Sequence, residues 1–167
     1  MYHATSYSFF KDEIKEWIFE NFDINSTILD VGAGSGTYYN LLHNNFKNID
    51  CVEVYEPNIE YNDLNNKYRN VYNINILDFK YDWYDLIIFG DILEHLTIED
   101  AQKVLKFALE RCKNVIVAVP YMYVQNANEN KYEEHLQPDL TKENVLIRYP
   151  ELKLLYGNDK YGYYIKK

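Results

Sequence analysis

The chain has 167 residues, 47% of them hydrophobic, and 26 acidic against 17 basic side chains give a net charge of −9. That length suits one domain over residues 1–167 and excludes two large ones, while the acidic balance disfavours a broad phosphate-binding surface, because nucleic-acid association draws on Lys and Arg releasing counterions. No apolar run reaches the length of a bilayer span and the start lacks a basic-then-apolar leader pattern, so a soluble, cytoplasmic protein is expected.

In residues 9–22 the side chains Phe10, Ile14, Trp17, Ile18 and Phe22 recur three and four apart, the pattern of an amphipathic helix laid on a core. Residues 27–31 then read as a short apolar strand ending in Asp30 and Val31, followed by Gly32, Gly34 and Gly36 on alternate positions. Glycine admits positive φ and leaves no Cβ between the main chain and a ligand, so three in one tight loop predict a molecule lying against bare peptide. A dinucleotide fingerprint would put its third glycine where this chain has Thr37, which disfavours a nicotinamide cofactor. The residues after Gly36, with Tyr39, Leu41 and Leu42, form the next helix.

Residues 50–54 read as the second strand, and Glu53 stands at its end, seventeen residues beyond Gly36. An acid there can accept hydrogen bonds from both hydroxyls of a ribose; Glu56, beside Pro57, is the competing candidate. Pro57 suits the first turn of a helix running to about residue 66. Residues 71–76 predict a third strand, and residues 85–89 a fourth, apolar enough to be buried on both faces. Thr97 opens the clearest helix, with Asp100 at the capping-box position and Ala101, Val104, Leu105, Ala108, Leu109 and Cys112 on one stripe. Residues 114–119 give a fifth strand, closed by Pro120.

From residue 121 to 140 periodicity is lost, which predicts a long loop over the carboxyl ends of the strands, where ligands of such sheets bind. Thr141 caps a short helix through residue 147, and residues 152–156 and 161–165 can pair as an antiparallel terminal hairpin. Strands alternating with helices predict βαβ units, hence an α/β fold with helices on both faces of a parallel sheet. Cys51 and Cys112 read as small buried thiols rather than a disulfide or metal pair, in keeping with a cytoplasmic setting.

The run from Asp30 to Gly36 resembles motif I of the class I S-adenosylmethionine (SAM)-dependent methyltransferases, and Asp91-Ile-Leu-Glu-His-Leu96 resembles their D/E-x-L-E-H-L segment. The resemblance implies a Rossmann-like, doubly wound, mostly parallel seven-stranded sheet with an antiparallel terminal strand, SAM as cofactor, and methyl transfer to an O or N atom of a small-molecule or protein acceptor. It puts Asp30, Gly32, Gly34, Gly36, Glu53, Asn75, Asp78 and Asp91 around SAM. Asp30 would meet the ammonium, directly or through water, and Asn75 or Asp78 the exocyclic amine of adenine.

His95 and His135 are the general-base candidates, since an unperturbed imidazole titrates near neutral pH. Asp91, Glu94 and His95 lie within five residues and can face the cleft together. Small-RNA 3′-terminal 2′-O-methyltransferases are similar at this point, where two acids and a histidine in E-x-x-E-H spacing join a later histidine to hold a divalent metal; the equivalents would be Asp91, Glu94, His95 and His135. The same pairing occurs in metal-free relatives, so the use of a metal stays open here, as does a cofactor-binding module without turnover. Tyr121, Tyr123 and Tyr132 could wall the acceptor or the sulfonium, although among 18 tyrosines packing is the default role.

Overall fold

The computed structural model describes residues 7–127 and 129–167. Five strands, β1 (Thr27–Val31), β2 (Asn48–Val52), β3 (Val71–Tyr72), β4 (Tyr84–Gly90) and β5 (Cys112–Pro120), pair in parallel, and β6 (Leu152–Gly157) and β7 (Tyr161–Lys166) extend the sheet. Their order is β3-β2-β1-β4-β5-β7-β6, with β7 antiparallel to both of its neighbours. The chain winds outward from β1 first one way, to β2 and β3, then the other, to β4 and β5. The two loops at the carboxyl ends of β1 and β4 therefore diverge and leave a crevice between them.

Among the described residues six α-helices cover the faces: α1 (Lys11–Asn21), α2 (Thr37–Leu42), α3 (Glu56–Tyr61), α4 (Leu64–Lys67), α5 (Ile98–Leu109) and α6 (Lys142–Arg148). Both faces of β1 are covered, so its apolar side chains alternate between two clusters. Leu29 and Val31 pack with Ala101, Val104, Leu105 and Ala108 of α5, while Ile28 packs with Ile14 and Ile18 of α1 on the opposite face. Each such side chain, fully buried, contributes about 1.5–3 kcal/mol. The Thr97 hydroxyl accepts from Asp100 N–H at 3.1 Å and starts α5; Thr141 does the same for α6 through Asn144 N–H at 3.0 Å.

Four expectations need correction. The second strand ends at Val52, so Glu53 lies just past it, its N–H still donating to the Tyr72 carbonyl at 3.0 Å. Of the third strand only Val71 and Tyr72 pair. Beyond them Asn73 donates its amide to the Glu53 carbonyl at 2.8 Å and Asn75 Oδ1 accepts from Leu77 N–H at 3.0 Å, so side chains take the groups a ladder would need. The helix expected to reach residue 66 breaks into α3 and α4 at Asp63, whose φ of 54° is left-handed. Cys112 begins β5 instead of closing the α5 stripe, and both cysteines are free and buried. Among the described residues no helix is long and apolar enough to cross a membrane.

Candidate active site

The crevice opens as a cleft of about 580 Å³. Its first half is the loop after β1. Gly32, Gly34 and Gly36 have φ of 69°, 50° and 79°, a left-handed run that other residues adopt only with strain. At Gly32 the requirement is also steric, because a Cβ would sit 2.0 Å from Ile92 Cδ1, a side chain from the loop after β4. At Gly34 the nearest heavy atom to such a Cβ is the Gly32 carbonyl oxygen at 3.8 Å. The peptide there is bare and has room in front of it.

Glu53 reaches this loop from the end of β2. Its Oε2 accepts from Gly34 N–H and its Oε1 from Tyr55 N–H, both at 2.8 Å, and the residue is only 4% exposed. Burial pushes its carboxyl above the ordinary range, against the lowering influence of those two N–H groups. A carboxylate oxygen accepts more than one hydrogen bond, so lone pairs remain for hydroxyls in the cleft. Glu56 is exposed at the start of α3 and does not line it. Asn75 does line it, between Ile74 and Ile76.

Three predicted cofactor residues do not line the cleft. Gly36 turns toward α4, where a Cβ would meet Lys67 Nζ at 3.6 Å and Leu64 Cδ2 at 3.7 Å. Asp78 is exposed and points elsewhere. Asp30 lies beneath the glycine loop, 1% exposed, where the Tyr68 hydroxyl donates to it at 2.5 Å. Burial pushes its carboxyl up to about 7, opposed by that hydrogen bond and by the charge of Lys11. The cause is strand parity: Asp30 shares a face with Ile28, in the cluster of α1 and α2.

The second half of the cleft is built from the loops after β4 and β5. Asp91 lines it with a φ of 58°, its N–H donating to the Ala118 carbonyl and its Oδ1 accepting from the Tyr161 hydroxyl at 2.6 Å. Glu94 lies in a single 3₁₀ turn, Leu93–His95, and is 1% exposed. Its carbonyl accepts from Leu136 N–H at 2.8 Å and Gln137 N–H at 3.0 Å, which ties the long loop to the turn. Neither of its carboxylate oxygens meets a donor among the described residues. Burial, and then the charge of Asp91, push that carboxyl well up.

His95 Nδ1 lies 3.1 Å from the Glu134 carbonyl and His135 Nδ1 2.8 Å from the Tyr123 carbonyl. A carbonyl only accepts, so each Nδ1 carries the hydrogen and each Nε2 keeps a lone pair. The rings meet edge to face at 4.6 Å, and burial lowers both imidazoles below their ordinary range, so both are neutral near pH 7. One potential ligand atom from each of Glu94, His95 and His135 lies within 4.8 Å of the others, and Asp91 is not part of that group. Tyr123 and Tyr132 line the cleft, whereas Tyr121 is packed inside with its hydroxyl against that of Tyr164. Among the described residues no Lys or Arg lines the cleft, while Glu53, Asp91, Glu94 and Glu133 do.

Sequence reasoning missed the residues that hold this half in place. The Gln137 amide, 2% exposed, donates to the Leu93 and Leu96 carbonyls at 2.8 and 3.0 Å, and Tyr161 comes from the last strand to meet Asp91. Neither position carries a local signal, since a glutamine in a polar loop and a tyrosine in an aromatic strand are ordinary.

Residues 29–115 match a family model described as a methyltransferase domain. No curated protein matches the sequence. Among solved structures the chain is similar to an S-adenosylmethionine-dependent methyltransferase from Clostridium acetobutylicum ATCC 824, with a TM-score of 0.73 and 14% identity over 98% of this chain and 92% of that one. It is also similar to the N-methyltransferase NodS from Bradyrhizobium japonicum WM9, with a TM-score of 0.64 and 12% identity over 94% of this chain and 95% of that one. A third likeness is to the N-terminal domain of EvdMO1 with SAH bound, at a TM-score of 0.71 and 13% identity over 97% and 82% of the two chains. At such identities these likenesses concern the fold.

Proposed function

The chain belongs to the methyltransferase-domain family and is SAM-dependent, and from that premise we propose that the cleft at the carboxyl ends of β1 and β4 passes a methyl group to an O or N atom of a small-molecule or protein acceptor. The observation that carries the reading is the 2.8 Å hydrogen bond between Gly34 N–H and Glu53. It sets a carboxylate with lone pairs to spare beside peptide that no Cβ covers, as a nucleoside joined to a charged amino acid requires.

SAM supplies a methyl carbon on a sulfonium that is already an excellent leaving group. The residues therefore bind, orient and exclude water. Glu53 would accept from the ribose hydroxyls, Gly32 and Gly34 would lie against the amino-acid portion while Gly36 shapes the turn into α2, and Ile74 and Ile76 would flank adenine, with Asn75 at its edge. Asp91 would face the sulfonium side. Asp30, held under the loop by Tyr68, supports the loop rather than touching the cofactor. His95 and His135, neutral with an Nε2 lone pair each, are able to take the proton that an acceptor hydroxyl or amine gives up. A cleft with acids and no cation along its described walls disfavours nucleic acid, and two free thiols favour a cytoplasmic setting.

The test is calorimetric titration of the full chain with SAM, its demethylated product, NAD and ATP. SAM and its product should bind with micromolar affinity, and Glu53→Gln should weaken both. Binding of NAD without SAM would overturn the reading. SAM binding with no radiolabelled methyl transfer to any hydroxyl or amine acceptor would mark a module without turnover.

A further inference from the structure

We propose that a second cavity, between α5 and the segment that follows β3, is a binding site for a small molecule with an apolar, ring-sized body and an anionic group such as a carboxylate, sulfonate or phosphate. Its shape, its charge and its place behind the main cleft carry the inference.

The cavity is about 360 Å³, within the size range of small-molecule sites. One wall is α5, where Lys103 and Phe107 stand one turn apart and Arg111 follows a turn further, just past the helix end. The other wall is residues 76–81, in which Phe79 and Tyr81 pack edge to face at 5.1 Å with Lys80 between them in sequence. Val104 and Ile76, 2% and 8% exposed, reach it from the core. Phe107 is left 48% exposed at the mouth. A ring held half in water beside an apolar hollow loses that exposure once the hollow is filled.

Charge identifies the rest of the occupant. The chain carries 26 acidic and 17 basic side chains, yet Lys80, Lys103 and Arg111 all line this cavity and, among the described residues, no Asp or Glu does. The main cleft is the reverse, lined by Glu53, Asp91, Glu94 and Glu133 and by no described cation. The three cations are exposed, and among the described residues none has an ion-pair partner; the two ion pairs found there, Arg69 with Asp50 and Arg148 with Asp139, lie elsewhere. Like charges gathered around one mouth repel, and an anion removes that repulsion while accepting from their N–H groups. An uncharged ligand would leave the cations as they are.

The site also backs onto the cofactor. Ile76 lines both this cavity and the main cleft. This clause rests on the methyl-transfer reading, in which Ile76 flanks adenine. An occupant that fills the space behind Ile76 restrains it against the adenine and raises SAM affinity, and SAM raises the occupant's affinity by the same factor.

The experiment titrates the full chain with anilinonaphthalene sulfonate, an aromatic anion, by fluorescence and calorimetry, with and without excess SAM. One molecule per chain is expected in both conditions, and uncharged anilinonaphthalene should bind about 10-fold more weakly, the loss of a charge-assisted pairing. Lys103→Glu and Arg111→Glu should each weaken the sulfonate about 3–10-fold, whereas Lys142→Glu, the same charge change on an exposed lysine of α6, should bind it as the parent does. Phe107→Ser tests the apolar wall without touching charge and should also weaken it. Equal binding by the parent, Lys103→Glu and Arg111→Glu, or displacement of the sulfonate by SAM, overturns the site. Equal binding of the uncharged compound overturns the anionic class. A dimer in sedimentation that the sulfonate dissolves would give this face to a second copy of the chain and overturn the small-molecule reading. With the sulfonate bound, SAM affinity should rise about 5-fold; no rise removes the coupling clause and leaves the site. Sulfonate binding by a chain that does not bind SAM upholds the site and sinks only the methyl-transfer reading.

Discussion

The two halves of the cleft are held open by different means. The half we assign to the cofactor, Gly32 to Gly36 with Glu53, is shaped by backbone: three left-handed glycines and N–H groups aimed at one carboxylate. The half we assign to the acceptor, with Glu94, His95 and His135, is shaped by hydrogen bonds across 39 to 44 residues of chain, from His95 to the Glu134 carbonyl and from Gln137 to the Leu93 carbonyl. A half made of local φ angles suits one fixed kind of ligand. A half made of long-range loop contacts can be rebuilt for a different acceptor without disturbing the cradle.

The hardest blow to this contrast comes where the halves touch. Gly32→Ala forces a Cβ into Ile92 at a left-handed φ, so it should lower stability by about 2–5 kcal/mol in urea unfolding and abolish SAM binding in the same sample. If the variant folds and binds as the parent does, the halves are not interlocked.

Next in size is the buried acid beneath the cradle. The Asp30 carboxyl releases its proton near pH 3.8 when unfolded and near 7 when folded, so between those values the folded state holds the extra proton. Its contribution to stability is complete below pH 4, falls as pH rises toward 7 and flattens above. Asp30→Asn should remove that slope and gain about 2–4 kcal/mol relative to the parent at pH 8, measured by denaturant midpoints across pH.

Glu53→Gln should reduce SAM affinity about 10–100-fold, the loss of a charged hydrogen-bond acceptor, and lower the thermal midpoint as well, because its NH2 replaces one of the two oxygens that accept from Gly34 and Tyr55 N–H. The smallest effect on SAM binding is expected from Gln137→Ala in the other half, which frees the Leu93 and Leu96 carbonyls and should cost about 1–2 kcal/mol while SAM affinity stays within about twofold. A large loss of SAM affinity in Gln137→Ala would mean that the acceptor half helps build the cradle.

Much of the fold was legible because its signals are local. The first strand stands where apolar alternation put it, at Thr27–Val31, and Thr97 and Thr141 cap the helices their hydroxyls announce. Val71 to Ile76 misled, since apolar alternation there is real but Asn73 and Asn75 spend their side chains on the backbone and turn the chain under the cleft. Among the candidate site residues, Glu53 was legible from spacing to the glycines, and the choice against Glu56 follows from Glu56 lying exposed. Asp30 was not, because motif position says nothing of which strand face the cleft uses.

What the residues alone determined is the alternation of strands and helices, the bare loop and the acid beside it, each set by φ preferences and side-chain periodicity over a few positions. Only the tertiary structure decided that Asp30 faces the helices under the loop, that Tyr161 reaches Asp91, and that His135 closes on Glu94 and His95 around a buried carboxylate that meets no donor among the described residues. Those are meetings of atoms far apart along the chain, and their energy exists only once the loops that carry them are packed together.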